Sequence, residues 1–260
     1  DNESDVHMNT VNNIWVCSFI HDNSRNPNAE KYMNEINLMK SVYSFWDDRT
    51  GKSLDDKLVL KARAEELLEV RKHTVYEKVP IEECIRKTGR KPIGTRWFDI
   101  NKGDDKNPNY RSRIVAQEFN NYKRDDIFAA TPPLEAIKIL LSCAVTKGIG
   151  YSSNKSEGMK IDFIDVRRAY YHAKATREVY ILLPEGDEEE GKCGKLIKSL
   201  QGTRDAAQNW EAAYSSLMTK CGFERGKSTP CLFYHKTRNI RVVIHGDDFT
   251  ILGKEEQLDW

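Results

Sequence analysis

Val242-Val243-Ile244-His245-Gly246-Asp247-Asp248-Phe249-Thr250-Ile251-Leu252 reads as two β-rich runs hinged on Gly-Asp-Asp. Valine, isoleucine, threonine and phenylalanine on both flanks favour an extended backbone. Gly246 suits the positive φ that the first central residue of a type II′ hairpin turn requires. Adjacent aspartates at such a tip repel each other, and neither can enter the apolar core that the flanks build. Two readings fit. One is a polar hairpin turn, since Gly-Asp at a tip is common. The other is a divalent-cation site, because hard oxygen ligands suit Mg²⁺ and a phosphate-bearing substrate completes its shell. The two-metal mode of in-line displacement needs carboxylates placed in this way.

A chain of 260 residues holds one large domain or two modest ones, with bulk enough for a core. Hydrophobic residues at 39% and charged residues at 31% fit a soluble globular protein with a polar extension. No apolar run approaches a membrane span, and the polar stretch Asp1 to Thr10 is no signal peptide, so no membrane partner and an intracellular, cytoplasmic setting are expected. A net charge of +1 neither supports nor excludes nucleic-acid binding, since a basic groove can be masked by acids elsewhere. Cys17, Cys84, Cys143, Cys193, Cys221 and Cys231 are scattered without a C-x-x-C pair, which argues against a disulfide framework or a zinc site.

Residues 1–52 are rich in Asn and Asp, lack a sustained period, and read as a flexible polar segment. Within them, Val42, Tyr43, Phe45 and Trp46 form a cluster able to dock on the domain. Ser53 or Asp55 caps a helix to Lys72, with Leu60, Ala64, Leu67 and Leu68 inward and Arg63, Glu65, Glu66 and Glu69 outward. Strands follow at Tyr76 to Val79, Gly94 to Ile100 and Tyr110 to Phe119, with a polar turn at Lys102 to Asn109. Thr131-Pro132-Pro133 opens a second helix, with Thr131 as its cap, that stops at Gly148. Further strands are read at Met159 to Val166, Glu178 to Leu183, Cys231 to Lys236 and Ile240 to His245. The clearest helix lies between Asp205 and Cys221, with an apolar stripe through Trp210 and Tyr214 and a stop at Gly222. Strands and helices mix without a βαβ rhythm, so the fold class is α+β.

Asp165 ends the hydrophobic run Ile161-Asp162-Phe163-Ile164-Asp165. It fits a helix N-cap, and it equally fits a third carboxylate that completes a two-Mg²⁺ site with Asp247 and Asp248.

Four ordered stretches resemble a known family. Asp165-Val-Arg-Arg-Ala-Tyr170 resembles motif A of reverse transcriptases, whose Asp is followed five positions later by an aromatic residue. Ser199-Leu-Gln-Gly-Thr-Arg-Asp-Ala-Ala-Gln-Asn-Trp210 is similar to the Ser-Leu-Tyr-Gly-Leu-Lys-Gln-Ala-Pro-Arg-Ala-Trp segment of copia-type retrotransposon polymerases. Lys91-Pro-Ile-Gly-Thr-Arg-Trp97 and Tyr110-Arg-Ser-Arg-Ile-Val-Ala116 resemble that family's Lys-Pro-Ile-Gly-Cys-Lys-Trp and Tyr-Lys-Ala-Arg-Leu-Val-Ala. With Asp247-Asp248 as motif C, the resemblance covers roughly residues 55 to 260.

The resemblance implies a right-hand polymerase fold: N-terminal helix and fingers over 53–150, and over 151–260 a palm whose antiparallel sheet is backed by helices. With Trp260 as the last residue given, a fold without the family's thumb and RNase H regions is expected. The implied reaction is RNA-directed DNA synthesis on a primer 3′-end, with an RNA or DNA template, deoxynucleoside triphosphates, and other parts of the same Pol polyprotein (integrase, RNase H) as partners. Asp165 and Asp247 would hold two Mg²⁺ ions, or Mn²⁺ in their place, with Asp248 a less direct ligand and Val166 counted in the metal set. Tyr170 would lie under the incoming sugar and exclude a 2′-hydroxyl. Arg113 would clamp the triphosphate and Lys102 would be a second clamp, while Gln201 and Gly202 would sit where nucleotide meets template.

Several positions depart from the family pattern. His245-Gly246 replaces Tyr-Val or Tyr-Leu, Gln201 replaces Tyr, Asp205 replaces Gln and Ala207 replaces Pro. His245 fits either a primer contact or a packed strand residue. Two other functions compete. One is a truncated or decayed, inactive fragment with residual nucleic-acid affinity. The other is an RNA-dependent RNA polymerase, disfavoured because Tyr170 stands where such enzymes favour an Asp.

Overall fold

Ile240–His245 and Asp248–Lys254 form an antiparallel hairpin in which His245 pairs with Asp248, leaving Gly246 and Asp247 as the turn. Gly246 takes φ +65° and Asp247 stays out of the positive-φ region, as a type II′ turn requires. The computed structural model describes residues 44–119, 129, 131–154 and 157–259, together with three short strands, Thr10–Val11 (β1), Ile14–Trp15 (β2) and Cys17–Ser18 (β3). Most of the expected flexible segment 1–52, including Val42 and Tyr43, lies outside the described residues.

Phe45–Trp46 (β4) pairs with Ser53–Leu54 (β5), and helix Asp56–Lys72 (α1) follows. Next come Tyr76–Pro80 (β6), helix Ile81–Thr88 (α2), Thr95–Asn101 (β7) and Tyr110–Ala116 (β8). Helix Leu134–Val145 (α3), strand Met159–Asp165 (β9) and the one-turn helix Ala169–His172 (α4) lead to Tyr180–Ile181 (β10) and Lys192–Leu196 (β11). Helix Ala206–Lys220 (α5) precedes Glu224–Arg225 (β12), Leu232–His235 (β13), the two hairpin strands Ile240–His245 (β14) and Asp248–Lys254 (β15), and Glu255–Leu258 (α6). Every ladder between named strands is antiparallel, and helices stand apart from strands, in keeping with the α+β class.

The chain divides into two units, each discontinuous in sequence. One comprises Asp1–Asp22, Asp125–His172 and Ala207–Trp260; the other comprises Asn23–Arg124 and Ala173–Ala206. The boundary read at residue 150 therefore falls inside one unit rather than between two.

The first unit is built on a six-stranded sheet of order β12-β13-β14-β15-β9-β3. All seven residues of β15 pair with β9, from Asp248↔Asp165 to Lys254↔Met159. On one face, Ala136 and Leu140 of α3 bury against Val243 and Leu252, with Ile161 packed alongside. On the other, Tyr214 of α5 meets Phe233 and Phe249 edge-on at 6.1 and 6.0 Å. The α3 start differs from expectation: Pro133, not Thr131, is the cap residue, and it makes no side-chain cap bond. Proline fixes φ and lacks an N–H, so it can end the extended approach without a capping oxygen. At the far end of α5, Gly222 takes φ +88° and Phe223 N–H bonds Met218 O, the glycine stop read from sequence.

The second unit holds the β7–β8 hairpin, the sheet β10-β11-β6, and α1. Asp55, rather than Ser53, caps α1 by accepting from Leu58 N–H. Phe45 is buried with Leu54 and Val59, whereas Trp46 is exposed. One face of α1 departs from the spacing-based expectation. Arg63 and Glu66 point inward, not out. Arg63 lies between the rings of Phe45 and Trp97, at 4.6 and 5.1 Å, and forks onto Asp99 while also reaching Glu185. A guanidinium is buried at tolerable cost when its donors meet carboxylates in this manner.

Candidate active site

Asp165 is the last residue of β9, Asp247 the second turn residue, and Asp248 the first residue of β15. Each offers a carboxylate oxygen, and these oxygens all lie within 4.8 Å of one another. Asp165 and Asp248 are exposed and Asp247 is half-buried. By alternation along their strands, Asp165 and Asp248 share a sheet face with Thr250 and Leu252. Val166 is buried, and its N–H donates to Asp247 O at 3.0 Å, tying the end of β9 to the turn. Its side chain has no ligand atom, so only its carbonyl could serve a cation. Arg168 follows with φ +52°, an uncommon left-handed conformation for arginine, and turns the chain into α4, which carries Tyr170 half-buried.

Lys102, Arg113, Gln201 and Gly202 all belong to the second unit. Arg113 Nη1 donates to Gln201 Oε1 at 3.5 Å, and Ala116 N–H donates to Gln201 O at 2.8 Å. Gly202 adopts φ +88°, and a Cβ there would stand 2.0 Å from Ala116 O. Only glycine permits that approach. Lys102 opens the exposed β7–β8 loop, where its N–H bonds Asn109 O. Arg113, Gln201 and Gly202 are thus brought together beside β8.

A profile of the family described as reverse transcriptase (RNA-dependent DNA polymerase) matches residues 84–258. This chain belongs to that family. It is 29% identical over 231 residues to the retrovirus-related Pol polyprotein from transposon TNT 1-94 of Nicotiana tabacum, a match covering 82% of this chain and 16% of the relative. Over 93 residues it is 30% identical to the truncated transposon Ty1-A Gag-Pol polyprotein and the transposon Ty1-DR5 Gag-Pol polyprotein of Saccharomyces cerevisiae. Those matches cover 35% of this chain and 8% and 5% of the relatives. This reverse transcriptase domain therefore spans a small part of the copia-type polyproteins it resembles.

The domain's departures from the family pattern have local structural consequences. Asp205 is buried, and its carboxylate accepts from Arg177 Nη2 at 2.5 Å. Arg177 also donates to both oxygens of Glu118, which in turn accepts from the backbone N–H and Nε of Arg204. Burial pushes the Glu118 carboxyl upward, but the Arg177 and Arg204 hydrogen bonds and the Arg177 charge outweigh it and hold Glu118 below its ordinary range. This network braces the loop just after Gly202. Sequence reading missed it, apart from noting that Asp205 is unusual, because its members come from three separate segments. Beside it lies a cleft of about 520 Å³ lined in part by Arg90, Lys91, Gln117, Arg177 and Arg204.

The donors of the carboxylate cluster fit a divalent cation. Three converging hard oxygen ligands, open to solvent on one side, match what such an ion needs while leaving room for substrate oxygens. Among the described residues, no helix is long and apolar enough to cross a membrane.

Proposed function

We propose that this domain transfers deoxynucleotidyl groups from deoxynucleoside triphosphates to a primer 3′-end on an RNA or DNA template. The convergence of Asp165, Asp247 and Asp248 within 4.8 Å, in a chain of the reverse transcriptase family, carries this reading. A new bond forms between the primer 3′-oxygen and the α-phosphorus as the bond to the leaving pyrophosphate breaks, and the 3′-hydroxyl proton passes to solvent. Bound Mg²⁺, or Mn²⁺ in its place, supplies activation of the 3′-hydroxyl and charge neutralisation of the triphosphate.

Asp165 and Asp247 would hold the two ions, with Asp248 beside them and the Val166 carbonyl as an added ligand. Arg113 grips phosphate oxygens with its guanidinium fork, assisted by Lys102. Gln201 offers a side-chain amide to the nucleotide, and Gly202 lets backbone approach closely. Tyr170 excludes a 2′-hydroxyl. The six-stranded sheet with α3 and α5 serves as palm, and the β7–β8 hairpin with α1 as fingers. Of the residues lining the cleft, Arg90 and Lys91 suit a nucleic-acid backbone, since Arg177 and Arg204 are engaged by Glu118 and Asp205. Partners within the parent Pol polyprotein, such as integrase and RNase H, are in keeping with the polyprotein nature of the relatives.

Primer extension with Mg²⁺ tests the reading. The wild-type chain should extend an annealed primer, whereas Asp165→Asn and Asp247→Asn should lose extension by roughly three orders of magnitude, as removal of several kcal/mol of transition-state stabilisation implies. Extension that survives either substitution, or is absent from the wild type, counts against it.

A further inference from the structure

We infer that Trp210 is a positioning residue for the carboxylate pair, acting through the backbone of the hairpin turn; this rests on the metal-binding reading above. Trp210 sits near the start of α5 and is 3% exposed. An indole N–H is a donor only, and a buried donor needs a partner. Here the partner is not a neighbouring core group but Gly246 O, which accepts from Trp210 Nε1 at 2.7 Å. The next carbonyl, Asp247 O, accepts from Val166 N–H at 3.0 Å. Both carbonyls of the two-residue turn are therefore held, one from α5 and one from the end of β9.

Side-chain packing does not do this at Gly246. A Cβ built there meets nothing within 4 Å, so the turn is open on that side. A two-residue tip held only by its flanking ladder rocks about the last strand pair, and the direction of the Asp247 carboxylate rocks with it. The indole ties the tip to an aromatic stack instead. Trp210 meets Tyr214 edge-on at 5.6 Å, and Tyr214 meets Phe233 and Phe249 edge-on in turn. The helix under the sheet thereby sets the direction of carboxylates at the sheet's end. Ligands fixed beforehand bind a cation without the cost of ordering them.

The test is calorimetric titration of the whole chain with Mn²⁺ alone, so that no polymerase activity is required. Trp210→Phe keeps an aromatic ring and removes the donor. A second variant carries 3-benzothienylalanine at position 210, which keeps the bicyclic shape and puts sulfur where the N–H was. Both should bind Mn²⁺ about three- to tenfold more weakly, the span expected for one hydrogen bond, and the benzothienyl variant should still unfold in one cooperative transition, its melting temperature lowered by no more than the roughly 2–8 °C that one lost hydrogen bond accounts for. Wild-type affinity in the benzothienyl variant would overturn the inference, whether or not its melting temperature falls, and would leave Trp210 a core residue only. Absence of Mn²⁺ binding by the wild type is a separate result: it removes the metal reading and the inference with it.

Discussion

Asp165 and Asp248 are direct cross-strand partners on adjacent antiparallel strands. Like charges placed opposite one another in this way destabilise a sheet, and Asp247 brings a third carboxylate within 4.8 Å. A cation offsets that repulsion. Without added metal, Asp248→Asn should therefore unfold at the same or a slightly higher temperature than the wild type. With Mn²⁺ at about a hundred times its dissociation constant, the wild type should gain roughly 2.7 kcal/mol and the variant clearly less. Thermal unfolding with and without Mn²⁺ decides it, and equal stabilisation of both proteins contradicts the assignment.

Gly202 and Gly246 both have positive φ, yet they should respond differently to alanine. A Cβ at Gly202 meets Ala116 O at 2.0 Å, whereas one at Gly246 meets nothing within 4 Å. Gly246→Ala should cost about 1–2 kcal/mol, the strain of a left-handed L-residue. Gly202→Ala adds a backbone clash and should cost more, displacing Gln201 from Arg113. Urea unfolding of the two variants gives the comparison; equal costs would mean that the Gly202 loop moves away freely.

The hairpin, the α5 stripe and the three aspartates were legible from sequence because each is a local pattern: alternation, helical spacing, or a carboxylate ending a strand. Long-range pairing was not legible. Arg63 and Glu66 carry charges that ordinarily mark a solvated face, and for Arg63 only its surroundings in the fold show why it turns inward: Asp99 lies 36 residues away and Glu185 lies 122 away. Helix α2 was missed because Ile81–Thr88 has few apolar residues to set a period, and β11 because Lys192–Leu196 mixes lysine and glycine. Trp210 was read as core from its place on the stripe. It is core, and nothing in the spacing announces that its N–H reaches the turn.

Breaking the Arg63–Asp99 pair should be costly. With side-chain exposures of 11% and 7%, Asp99→Ala leaves a buried guanidinium with the partly exposed Glu185 as its only carboxylate partner among the described residues. The expected loss is about 3–5 kcal/mol by chemical unfolding. The double variant Arg63→Met/Asp99→Leu should lose less than Asp99→Ala alone. A loss below 1 kcal/mol for Asp99→Ala would show that water reaches the pair.

Acid stability should report on Glu118. Its folded value lies below the ordinary 4.5, so the stability it contributes is complete above about pH 4.5 and disappears as pH falls through the folded value. Unfolding free energy should therefore decline on acidification below that point, and Glu118→Gln should flatten part of the decline while costing stability at neutral pH. An unchanged acid limb in the variant would exclude Glu118 as a contributor.

Diffraction from crystals soaked with Mn²⁺ and a deoxynucleoside triphosphate tests the central claim most directly, since manganese is located by its anomalous signal. Two peaks bounded by the carboxylates of Asp165 and Asp247, one of them also touching the triphosphate, are expected, and Asp165→Asn should lose at least one. No peak at the cluster, or peaks of the same strength in the variant, would contradict the assignment of these three aspartates as the metal centre.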